Sequence, residues 1–534
     1  MTQDPLYYPF PSQRNVTLGR RGMVATSQSL ASQAGLDILK QGGNAIDAAI
    51  ATAAALTVVE PTSNGIGSDA FAIVWIDGKL YGLNASGPAP RSLTLEAVQA
   101  LGHESMPAYG WVPVTVPGTP AGWAALSKRF GKLPFAELFR PAIEIAEQGY
   151  AITPTLHQMW AEAFEIYSVD EAAVFESWHA TFAPRGRAPQ IGEIWQAPDH
   201  AETLRKIADS HAEAFYQGGL AGRMADHAAA HGGFLTREDL AGYRPEWVEP
   251  VGVRYRDHDI WEIPPNGSGM IALMGLNILA GFDPDRAEVE TLHRRIEALK
   301  LAYIDGFHYI SEQTHMHVDV EALLSTSYAD SRRALIGERA LLPAPGELPR
   351  GGTVYLATAD SEGNMVSFIQ SNYKGFGSGV VVPGTGISLQ NRGWSFSLDP
   401  NHVNALVPGK RPYHTIIPGF ITRGDQAIGP FGVMGGFMQP QGHMQVITSL
   451  LDDHLNPQAA LDAPRWKWVS QRKIEVEPHF PNHLVQALER RGHQVIKRTD
   501  GLTFGRGQII LRDLETGVLT GGTEPRTDGA VVSW

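Results

Sequence analysis

A mixed α/β chain with a helix-rich first part and a strand-rich last third is what this sequence predicts. Three observations carry the expectation. The opening reads helix, helix, strand, strand; a long middle stretch keeps amphipathic helical spacing; and at Thr353 the pattern switches to the alternation of strands.

From Gln33 to Lys40 the apolar spacing predicts a helix, and "QGGN" at Gln41 to Asn44 breaks it. "AIDAAIATAAALTVVE" then predicts a second helix closed by Pro61, with small residues on every face and so close packing on both sides. In "NGIGSDAFAIVWIDGKLYGLNAS" a Gly-rich turn feeds two strands joined at Asp77-Gly78, a strong hairpin signal. About Pro117 to Glu312 reads as mostly helical, as in "LPFAELFRPAIEIAEQG" and "TLHRRIEALKLAYIDGFHYI". "ALLPAPGELPRGG", from Ala340 to Gly352, holds three prolines and three glycines and predicts an exposed, non-regular linker. "TVYLATAD" and "NMVSFIQSN" follow as strands turning at Ser361 to Gly363. "MQVITSLLDDHLNPQAALDAPRW" restores helix before a strand-rich tail. There is no internal repeat and no low-complexity tract.

Composition narrows the classes. With 534 residues, 43% hydrophobic, 19% charged and 9% aromatic, the chain describes a folded soluble protein rather than a disordered one. A net charge of -13 without a Lys/Arg cluster argues against nucleic acid as a partner. The absence of cysteine removes disulfides, thiolate catalysis and Cys-ligated zinc. The longest apolar run, Ala45 to Val59, carries Asp47 and is too short to cross a bilayer, so no membrane partner is expected. The N-terminus has no basic start followed by an apolar core, which makes the cytoplasm the default location.

Several familiar constellations are missing. No Gly-x-Ser-x-Gly elbow occurs, and "HGGF" at His231 has no nucleophile to serve. No His-Glu-x-x-His occurs, and His315 with His317 lacks a third ligand nearby, so no metal is expected. "GFGSGVVVPGTG" from Gly375 has Val380 where a nucleotide loop needs glycine and lacks the P-loop Lys-Ser/Thr. It reads as a backbone-shaping loop.

Thr353 has two readings. In "RGGTVYLATAD" the glycines turn the chain into a strand, or they hold a peptide that the threonine hydroxyl cuts. A threonine with a freed α-amine is nucleophile and base in one residue, because such an amine titrates near about pH 7.7–8. Locally, the turn is the simpler reading.

Other stretches tip the balance. "GMVATSQSLASQAGLDILKQGGNAIDAAIATAAALTVVEPTSNGIGSDAF" from Gly22, "GGTVYLATADSEGNMVSFIQSNYKGFGSGVVVPGTGISLQN" from Gly351, "GKRPYHTIIPG" from Gly409, "QPQGHMQVITSLLD" and "TEPRTDG" together resemble the γ-glutamyltransferase family of N-terminal-nucleophile hydrolases. The resemblance spans nearly the whole chain. It implies a four-layer αββα sandwich and a precursor that cuts itself between Gly352 and Thr353. Residues 1–352 would form a large chain and 353–534 a small one, together making one intertwined domain. It implies Thr353 as nucleophile, Ser371 as a second hydroxyl bonded to it, and backbone amides near Gly442 or the Gly435-Gly436 pair as the oxyanion hole. Neither metal nor organic cofactor is implied. The expected partners are a small-molecule substrate and the two chains of one precursor, with a homo-oligomer left open.

The departures bear on substrate. Asn84 stands where the glutamyl enzymes carry an arginine for the α-carboxylate, and Ser395 where they carry an aspartate for the α-ammonium. Their paired serines become His414 and Thr415, and Tyr373 replaces an asparagine that meets the substrate. An α-ammonium buried without its carboxylate loses a bond worth about 1.5–3 kcal/mol. Arg392 and His414 remain as anion partners. The expectation is therefore an amide of a small acid lacking an α-amine, as in the oxamate amidohydrolase branch. A γ-glutamyl hydrolase or transferase is the alternative, and an unprocessed, non-catalytic binding relative is the alternative of another class.

Overall fold

The first helix of the computed structural model runs Ser29–Lys40, beginning ahead of the predicted Gln33 because the Gln28 side chain accepts the Leu30 N–H at 2.7 Å and caps it. The structure describes residues 13–169, 173–284, 287–342 and 352–534. The second helix, Ala45–Val59, starts on a capping box in which Asn44 and Asp47 satisfy each other's backbone N–H groups. Every residue of that helix is buried. Asp47 is tolerated there because its carboxylate also accepts the Lys132 and Leu133 N–H groups, at 3.0 and 3.1 Å.

Two seven-stranded antiparallel sheets form the centre. The first has Gly352–Asp360 and Met365–Tyr373 in its middle, with Gly22–Thr26 and Ala530–Ser533 on one side. Asp69–Ile76, Lys79–Ala85 and Glu246–Val248 lie on the other. The second runs Thr17–Gly19, Leu519–Thr523, Arg506–Arg512, Gln426–Met434, Gly419–Arg423, His258–Glu262 and Val251–Tyr255. The inner faces meet closely: a Cβ added to Gly432 would lie 2.4 Å from the Tyr355 ring. Helix Ala45–Val59 covers the outside of the first sheet. Helices Gly269–Ala280 and Gln439–Leu451 cover the second, with Glu288–Tyr309 packed beyond. The order of layers is αββα, as the resemblance implies.

Helices dominate the stretch from Pro117 to Glu312, as its spacing predicts, and within it Glu246–Val248, Val251–Tyr255 and His258–Glu262 are strands, the last two closing one edge of the second sheet. Strands this short, with burial alternating at Val253, Tyr255, Ile260 and Glu262, are hidden by the helical spacing around them. Most of the expected linker between Ala340 and Gly352 falls outside the described residues. Among the described residues no helix is long and apolar enough to cross a membrane.

Candidate active site

Thr353 lies at the start of the central strand Gly352–Asp360, fully buried. The pairing with Met365–Tyr373 slips here, Gly352 facing Tyr373 and Val354 facing Gln370, so the second strand carries an extra residue opposite Thr353. Tyr373 absorbs the distortion with φ +78°. The bulge brings Ser371 Oγ to 3.1 Å from Thr353 Oγ1, while Ser371 Oγ accepts the Tyr373 N–H at 2.8 Å. From the second sheet's side, Gln439 Nε2 donates to Thr353 Oγ1 at 3.3 Å, and its Oε1 accepts the Ile417 N–H at 3.0 Å. The nucleophile candidate is thus gripped from both sheets.

Gly435 and Gly436 make the turn between strand Gln426–Met434 and that glutamine. Their φ values, +132° and +60°, lie in the region that favours glycine. Gly442 is the fourth residue of helix Gln439–Leu451. A Cβ there would meet Val433 at 2.5 Å, so glycine at 442 serves helix-on-sheet packing.

Arg392 opens a short 3₁₀ turn, Arg392–Ser395, and is fully buried. Its Nη1 donates to Thr415 Oγ1 at 2.8 Å and its guanidinium lies 4.0 Å from the centre of the Tyr373 ring. Nε and Nη2 have no partner among the described residues. Burial pushes its pKa down to about 10, with Tyr373 and Asp69 opposing. Ser395 turns away from the aspartate role it stands in for: its Oγ donates to the carbonyls of Arg392 and Tyr413. Beside Thr415, His414 Nε2 lies 3.1 Å from Asp69 Oδ2, both residues fully buried. Asp69 pairs with Ser371 across the sheet.

Asn84 is held by its neighbours. Its Oδ1 accepts both the N–H and the Oγ–H of Ser86, at 3.0 and 2.7 Å, and its Nδ2 donates to Asn266 at 2.9 Å. That amide braces a loop. Asp69 and Gln439 escaped the sequence reading, although each carried a signal: an acid in the small, apolar run "GIGSDAFAIV", and a glutamine at a proline-started helix.

For metals, the described residues place His293, Glu297 and His493 together, all buried. The Lys300 ammonium stands 2.7 Å from Glu297 Oε1 and already supplies positive charge there. His315 lies apart, 3.4 Å from Glu312.

Two facing antiparallel sheets flanked by helices, with a threonine on a central strand held by groups from both, define an αββα hydrolase of the N-terminal-nucleophile class. The chain belongs to the gamma-glutamyltranspeptidase family, whose model matches residues 31–534. It is 62% identical to the crystal structure of cephalosporin acylase from Bacillus halodurans, with a TM-score of 0.97 over 100% of this chain and 99% of that one. It is 36% identical to the glutathione hydrolase-like YwrD proenzyme of Bacillus subtilis (strain 168), over 96% of this chain and 99% of the relative. It is 35% identical to the oxamate amidohydrolase proenzyme of Klebsiella pneumoniae, over 96% of this chain and 98% of the relative.

Proposed function

We propose that this protein is a self-processing threonine amidohydrolase whose substrate is an amide with a carboxylate in its acyl half. The observation that carries the reading is Arg392, a buried guanidinium with two nitrogens unpartnered among the described residues. It is stacked on Tyr373, whose own N–H is bonded to Ser371 beside Thr353. A buried cation with two open donors is unfavourable alone and becomes favourable when a planar carboxylate takes both.

Processing comes first. The Thr353 hydroxyl, held by Ser371 and Gln439, attacks the Gly352 carbonyl, the peptide becomes an ester, and water releases residues 1–352 from a chain that begins with the free amine of Thr353. That amine then takes the proton from the hydroxyl of its own residue as Oγ1 attacks the substrate amide. Backbone N–H groups of the Gly435-Gly436 turn receive the oxyanion, a contribution of about 3–4 kcal/mol for a donor of this kind. Ammonia or an amine leaves with a proton, and water resolves the acyl-enzyme. No metal or organic cofactor enters these steps.

Among such substrates γ-glutamyl amides lead. The family and the glutathione hydrolase-like relative support that head group at least as well as the oxamate relative supports oxamate, so the preference read from the sequence gives way to its alternative. A second reading, the acyl amide of a cephalosporin, rests on the 62% identity to the Bacillus halodurans acylase.

Denaturing mass spectrometry tests the chemistry: two chains parting between Gly352 and Thr353 in the wild type, and one inactive chain in Thr353→Ala. A wild type that stays whole on long incubation would favour the non-catalytic relative, and two chains from the variant would point to outside proteolysis. Rates on a γ-glutamyl anilide, oxamate and an acylated cephalosporin rank the substrates. Ammonia release from oxamate outrunning the other two would return the lead to oxamate.

A further inference from the structure

Carboxylate binding at Arg392 creates a charge imbalance. Arg392 and Asp69 are both fully buried and near enough to act on each other electrostatically. Together they are neutral. An incoming acyl group that carries a carboxylate and no ammonium adds a negative charge to this buried site, where a net charge is disfavoured by several kcal/mol, whereas a zwitterionic γ-glutamyl head adds none.

The group placed to correct this is the Asp69–His414 pair. Asp69 Oδ2 and His414 Nε2 lie 3.1 Å apart, and Asp69 Oδ1 accepts the Gly87 N–H at 3.2 Å. His414 is pinned at its backbone, its N–H donating to Asn266 O and its C=O accepting the Ser268 N–H. The next residue, Thr415, receives Arg392 Nη1–H. One dipeptide therefore joins the acid to the guanidinium. The groups facing Asp69 are Arg392 and Arg411, which favour its carboxylate, together with His414, Tyr216 and Tyr243. Burial is the largest influence on both partners: it pushes the Asp69 carboxyl up to about 7 and holds the His414 imidazole well below its ordinary value, where Arg392 adds to the effect.

We propose that Asp69 is a specificity-determining residue: the Asp69–His414 pair takes one proton from solvent when an acyl group of net negative charge settles its carboxylate on Arg392, so that the buried set keeps its net charge. The proposal rests on the carboxylate reading above. Its consequence is selective. Neutral acyl groups bind without a proton, whereas anionic ones lose about tenfold in affinity per pH unit above neutrality.

The test is calorimetric titration of glutarate into the processed enzyme near pH 8, in buffers of different ionisation enthalpy. Wild type should take up about one proton through Asp69, in addition to any taken by the Thr353 amine, which titrates near about pH 7.7–8. Asp69→Asn should lower the uptake by about one proton and, near pH 9, bind glutarate at least about tenfold tighter than wild type. Simple loss of structure gives the opposite sign. Zero uptake by wild type overturns the proposal without any variant. Arg392→Met separates the two readings. If glutarate does not bind wild type, or binds it and the variant equally, the carboxylate reading falls and this proposal with it. If binding needs Arg392 but Asp69→Asn takes up as many protons as wild type, the proton coupling alone is refuted.

Discussion

Replacing Arg392 by methionine should separate substrate recognition from self-cleavage. Nε and Nη2 are the open donors of a fully buried guanidinium. Two charge-assisted bonds to a carboxylate, each about 1.5–3 kcal/mol, make the loss about 3–6 kcal/mol, or roughly 150- to 25,000-fold in kcat/KM for an acyl-carboxylate amide. Self-cleavage uses the chain's own peptide and needs no such carboxylate, so conversion to two chains should proceed at the wild-type rate. Initial rates on a γ-glutamyl anilide and a denaturing gel over time read the two quantities. A variant that keeps kcat/KM within a few fold, or one that no longer cuts itself, would refute the assignment of Arg392 to the acyl carboxylate.

Gln439→Ala removes the Nε2 donor to Thr353 Oγ1 and the acceptor of the Ile417 N–H, so conversion to two chains should slow by roughly 5- to 30-fold, a barrier of about 1–2 kcal/mol. An unchanged half-time on a denaturing gel would remove Gln439 from the machinery. Gly432→Ala drives a methyl into the Tyr355 ring between the sheets and should destabilise the protein by about 1–3 kcal/mol, read as a lower urea midpoint. Glu524→Gln breaks a buried pair with Arg465 at 2.8 Å and should cost about 3–5 kcal/mol at neutral pH. Burial raises the Glu524 carboxyl, but Arg465 and Arg526 outweigh it and hold the pKa below 4.5. Its stabilisation is present above the unfolded value and lost as pH falls through the lowered folded one, so the gap between wild type and variant in urea melts should narrow as the pH is taken down through the acid range.

The legible parts of the sequence were those in which local chemistry and tertiary need coincide. "QGGNAID" spells out a helix break and a capping box, and Asp77-Gly78 a hairpin, because backbone hydrogen bonds within a few residues decide both. Val251–Tyr255 and His258–Glu262 were not legible, since the hairpin they form is fixed in the sheet by the pairing of His258–Glu262 with Gly419–Arg423, far along the chain. In the candidate site, the family resemblance pointed to Thr353, Ser371, Arg392, His414 and Thr415, which the structure places near one another. It did not point to Asp69 and Gln439, because their importance depends on which atoms they reach. The packing of Gly442 against Val433 and the bond of Asn84 to Ser86 leave no mark in the local sequence for the same reason.

By itself the sequence determined a mixed α/β architecture, a chain without thiol chemistry, and a threonine set after two glycines at the head of a strand. Those properties follow from composition and short-range backbone preference. Tertiary structure decided what surrounds that threonine. A bulge brings Ser371 to it, a helix start from the opposite sheet brings Gln439, and burial leaves Arg392 with two open donors. The reason is physical: reach, desolvation and unpaired hydrogen-bonding groups are properties of neighbours in space, and here those neighbours lie up to hundreds of residues apart in the chain.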